Sequence, residues 1–127
     1  MFKIFKAWKK ATDVRRLNKD APIIIEHARQ TLRPERMPEI AKATAEHLER
    51  SHKIFEPTSV GLKRAILEYQ RLHQEARRQR DDVSLTAFTL VQIYIRAEDY
   101  GEVCRPALDT INAFLAEWGH GNTVDTK

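Results

Sequence analysis

Apolar residues recur every three to four positions along almost the whole chain, and no stretch alternates as a strand would. The pattern predicts six helices. The first covers 2–17, and the second covers 22–33, started by Asp20 as a cap and Pro22, with Ile24, Ile25, Ala28 and Leu32 inward. Arg33-Pro34-Glu35-Arg36-Met37-Pro38 reads as a turn, and Pro38 opens a third helix ending near Phe55 with Met37, Ile40, Ala41, Thr44 and Leu48 on one side. Thr58 is the expected cap of a fourth helix over 59–80, striped by Leu62, Ala65, Ile66, Tyr69, Leu72 and Ala76.

Asp81-Asp82 separates it from a fifth helix, 83–100, which is apolar on most faces and so should lie at the centre. Gly101 is the expected left-handed stop. The sixth helix covers 102–118, with Pro106 pushing its effective start toward Arg105. Residues 85–118, with Tyr94 and the Glu98-Asp99-Tyr100-Gly101 turn, loosely resemble one tetratricopeptide helix pair. Val91 stands where a small residue belongs, Pro106 interrupts the second helix, and no second copy follows at the repeat period. An ordinary helical hairpin accounts for the segment. The expectation is a single all-α domain, a five- or six-helix bundle or orthogonal array. It divides into a basic amphipathic helix at 1–19, a helical domain at 20–118 and a flexible tail at 119–127.

Composition narrows this further. At 127 residues, 42% hydrophobic and 31% charged, the chain can bury a core without disulfides or metal. Its single cysteine, Cys104, points to a reducing, cytoplasmic setting, and no apolar run reaches membrane-spanning length. Charge is unevenly placed. The first nineteen residues hold seven basic side chains against Asp13 alone, whereas residues 82–127 hold three basic and seven acidic ones. The net charge of +4 therefore belongs to one end of the chain.

That end carries the strongest functional signal. On a helical wheel Met1, Ile4, Phe5, Trp8, Ala11 and Thr12 share one face, opposite Lys3, Lys6, Lys10 and Asp13, with Phe2 and Lys9 near the edge of that opposite face. Such a helix can pack on its own domain, dock on a partner protein or a second copy, or lie on an anionic membrane surface. Packing is the first expectation for Ile4, Phe5 and Trp8. Phe2, Lys3, Ile4, Phe5, Lys6, Trp8, Lys9 and Lys10 are the candidate binding residues, to another protein, to a second copy, or to lipid at the inner face of a membrane.

Catalytic motifs are absent. Glu49 and His52 have the spacing of a di-iron helix, with Glu46 a turn back, but Gln70 stands where a second glutamate before His73 would be needed. Solvated residues on an outer helix face account for them, and neither metal nor cofactor is expected. Cys104 at a helix start beside Arg105 has no sequence-near histidine and reads as core filling. The arginines 71, 77, 78 and 80 are interleaved with Glu75, Asp81 and Asp82, and no helix-turn-helix pattern accompanies them, which speaks against nucleic acid. The sequence reads as a binding domain before an enzyme, and the third reading is an enzyme or metal protein whose site assembles from separate helices through residues such as Glu46, Glu49, His52 and His73.

Overall fold

The computed structural model describes the backbone of residues 2–120 and the side chains of residues 8–120. All regular structure among them is helical: α1 (Phe2–Thr31), α2 (Met37–Ile54), α3 (Ser59–Arg78), α4 (Asp82–Tyr100) and α5 (Arg105–Glu117), with short 3-10 turns at Pro34–Arg36 and Gly101–Cys104. None of these helices is long and apolar enough to cross a membrane.

The first two expected helices are one. α1 runs unbroken past Asp20 and keeps Pro22 in its interior. An interior proline costs about 3 kcal/mol, because it removes a hydrogen bond and crowds the preceding turn. Two features offset this. Pro22 sits on the exposed side of the helix, so its ring takes no place in the core. Meanwhile Leu17, Ala21, Ile25 and Ala28 form a single buried stripe across the proline. Breaking the helix at Asp20 would split that stripe.

The remaining boundaries follow local signals. The Thr58 hydroxyl accepts from the Gly61 N–H at 3.0 Å and starts α3. The Asp81 carboxylate accepts from both the N–H and the hydroxyl of Ser84 and starts α4. α3 ends with Arg80 in the left-handed region at φ 56°, while the Asp81 N–H reaches back to the Ala76 carbonyl. Gly101 (φ 82°) closes α4.

α4 touches each of the other four helices, as its nearly all-round apolarity demands. Val83, Ala87, Phe88, Leu90, Val91, Ile93, Ile95 and Ala97 are buried along it. α1 lies against α4 and α5 and is clipped to α5 at its far end by Arg29, whose guanidinium donates to both Glu117 oxygens at 2.6 and 3.0 Å. α3 runs antiparallel to α4, with Tyr69 near Gln92 and Leu62 near Asp99. Consequently the start of α3, the end of α2 and the root of α1 all meet the C-terminal end of α4.

α5 has an unusual cap. Cys104 provides no side-chain cap, and Pro106 has no N–H to offer. The Ala107 N–H donates instead to Asn18 Oδ1 on α1 at 3.0 Å, while Asn18 Nδ2 donates to the Val103 carbonyl at 3.0 Å. One side chain thus bonds both the 3-10 turn after α4 and the first turn of α5 and ties them to α1.

Candidate functional site

α1 is rooted in the body from Asp13 onward. The Tyr100 hydroxyl donates to Asp13 Oδ2 at 2.9 Å, and Val14 packs against the core. Burial and this carboxylate push the Tyr100 phenol above its usual pKa. The only acid among the first nineteen residues is thereby engaged by a tyrosine hydroxyl.

One turn before this anchor the described residues leave the body. Trp8, Lys9, Lys10 and Ala11 are all exposed. Successive helical residues step about 100° around the axis, so these four sample every face of a complete turn. Lys10 falls in line with Leu17, Ala21 and Ala28, yet it is exposed where they are buried. Trp8 projects roughly 140° away from that stripe and is 64% exposed. The expectation that the first helix packs on the domain therefore holds from Val14 onward and fails at Trp8. Because its early apolar positions and its core stripe lie on different sides, α1 is only weakly amphipathic over its full length. Of the candidate binding residues, Trp8, Lys9 and Lys10 are exposed, and Phe2, Lys3, Ile4, Phe5 and Lys6 lie outside the residues whose side chains are described. The same holds for the tail residues 121–127.

At the same end of the molecule a groove of about 630 Å³ opens between the α2–α3 loop and the end of α4. Phe55, Leu62 and Ile95 contribute apolar surface, and Glu56, Glu98 and Asp99 bring carboxylates to it. His52 also lines it, with Nε2 2.8 Å from Glu98 Oε1. The loop is held tight by Gly61, where any Cβ would overlap the Glu56 carbonyl. Ile54 and Val60, either side of this loop, are 61% and 67% exposed.

The residues considered for metal do not assemble. His52 meets Glu98, Glu49 pairs with Lys53 at 3.4 Å, and His73 lines a separate shallow cleft beside Gln70 and Gln92. Among the described residues no three His, Cys, Asp or Glu side chains are placed to hold an ion. Cys104 is fully buried, and burial pushes its thiol upward rather than activating it. Arg71 is engaged by Glu68 at 2.7 Å and by Glu75 at 3.8 Å.

A further polar residue joins the core where no motif marked it. His47 is half-buried and packs edge-on against Phe88 (4.9 Å between centroids) and Tyr69 (5.5 Å). The Tyr69 hydroxyl donates to the His47 carbonyl at 3.1 Å, which leaves His47 Nδ1, also 3.1 Å away, as donor to the phenol oxygen. Burial, assisted by Arg50, holds His47 below the usual histidine pKa. The only sequence signal for this contact was its position one residue before Leu48 on the inner edge of α2. Comparison with protein-family models, with curated proteins and with solved structures finds no match to this chain.

Proposed function

We propose that this protein is a small, non-catalytic helical interaction domain, a five-helix bundle or orthogonal array, that binds a partner protein or a second copy of itself through the basic aromatic start of α1. The exposed turn Trp8–Ala11 carries this reading. A large aromatic held 64% in water, on the side of a helix turned away from its own core, is a poor use of apolar surface unless something covers it. Tryptophan is also the side chain most enriched among residues that dominate interface energy. Lys9, Lys10, Arg15, Arg16 and Lys19 are exposed around and behind it and would steer an acidic surface toward the helix. The same pairing of Trp8 with Lys9 suits anionic lipid, which is the second reading.

Trp8 itself is the reporter. In a Trp118→Phe background it is the sole indole, and that change keeps an aromatic ring against the core and breaks no hydrogen bond seen among the described residues. In dilute protein Trp8 emission should be red and fully open to acrylamide. A blue shift on raising protein concentration identifies self-association, and one on adding phosphatidylserine vesicles but not phosphatidylcholine ones identifies lipid. A Trp8 already blue and shielded in dilute protein would overturn the proposal.

A further inference from the structure

The acidic groove and the basic helix lie at one end of the molecule, and their chemistries are complementary. We propose that the occupant of the groove is the start of α1 from a second copy of this chain. This rests on the interaction reading above and names its partner.

The fit has three parts. The groove offers an apolar lining of Phe55, Leu62 and Ile95 beside the carboxylates of Glu56, Glu98 and Asp99. Its volume of about 630 Å³ lies within the range of sites that hold drug-sized groups, ample for an indole and the stem of a basic side chain. α1 presents the matching pattern. Arg15 lies two turns along from Trp8 on nearly the same face, and Lys9 flanks it by about 100°. An aromatic entering the apolar lining would thus bring cations to the carboxylates. Ile54 and Val60, exposed beside the groove, add apolar surface for the incoming helix to cover.

The occupant comes from another copy because Trp8 of the same chain stands in solvent while its helix is tied down by Asp13 to Tyr100. Tyr100 is also the immediate neighbour of Asp99 in the groove. Donor helix and acceptor groove are therefore close together on one end of each molecule. That placement favours a closed two-fold dimer in which each copy inserts its helix into the other, rather than an open chain.

Charge reversal on the full chain tests this by sedimentation velocity. Wild type should show a monomer–dimer equilibrium that weakens as salt rises. Lys9→Glu/Arg15→Glu reverses the donor, and Glu98→Lys/Asp99→Lys reverses the acceptor. Each variant alone should dimerise at least about tenfold more weakly, and an equimolar mixture should recover near wild-type association as a heterodimer. That recovery also shows that both variants are folded. Trp8→Ser, an exposed change, gives an independent loss without touching any charge. A wild type that stays monomeric, either reversed variant dimerising like wild type, or a mixture that stays monomeric would each overturn the inference. A monomeric wild type whose Trp8 still shifts with vesicles would overturn this pairing alone and leave the helix as a binding element. Trp8 shielded in dilute monomer would overturn the interaction reading as well.

Discussion

Asn18→Ala should cost the protein about 2 kcal/mol, far more than its half-exposed position on α1 suggests. The side chain makes two hydrogen bonds of equal length, 3.0 Å each, but their losses are unequal. Val103 is 53% exposed, so water can replace Asn18 Nδ2 at its carbonyl with little penalty. Ala107 is fully buried, and its N–H stands in the first turn of α5, where Pro106 and Cys104 offer no alternative cap. Leaving that donor unpaired costs about 1–3 kcal/mol. Asn18→Asp separates the two effects. It keeps an oxygen for Ala107 and adds negative charge at the positive end of the α5 dipole, while its second oxygen now faces the Val103 carbonyl, a repulsion that the exposed Val103 can relieve by turning to water. The expected order in urea denaturation is wild type, then Asn18→Asp within about 1 kcal/mol, then Asn18→Ala, with unchanged m values. An Asn18→Ala protein within about 0.5 kcal/mol of wild type, or Asn18→Asp as damaging as Asn18→Ala, would refute this account of how α5 is capped.

Four further outcomes follow from other parts of the molecule. Gly61→Ala drives a Cβ into the Glu56 carbonyl, so it should destabilise by more than about 2 kcal/mol and alter proteolysis of the α2–α3 loop. Arg80→Gly relieves a left-handed residue at the end of α3, and the urea midpoint should rise by the equivalent of about 0.5 kcal/mol after glycine's extra unfolded-state entropy is counted. His47 is depressed below its unfolded value of 6.5, so the unfolded chain takes up a proton that the native one refuses; stability should fall as pH drops below about 6.5, and His47→Gln should flatten that slope between about pH 7.5 and 5.5. His73, lowered by burial and by Arg77, contributes in the same direction. Cys104 should resist maleimide labelling in native protein and react fully in denaturant, with a rate that tracks unfolding.

Much of the helical plan was legible because its signals are local. Thr58, Asp81 and Gly101 act within one turn of where they stand, through a single hydrogen bond or a single left-handed residue, and each marks a boundary now seen. The centrality of α4 was likewise written in its own composition, since a helix apolar on most faces has no solvent side to turn outward. The same local logic failed at Asp20 and Pro22. There a cap-and-proline signal competes with a stripe from Leu17 to Ala28 whose burial depends on α4 and α5, helices more than fifty residues away. Asn18 and His47 were missed for the same reason: their partners, Ala107 and Tyr69, are 89 and 22 residues distant. The candidate site shows the limit most clearly. Periodicity reported that Trp8 lies on an apolar face, but an apolar face says nothing about where the body of the protein stops. Only the packing of Asp13 on Tyr100 and the exposure of all four residues of the next turn decide that Trp8 faces water, because burial belongs to the surfaces that meet and not to the helix that carries them.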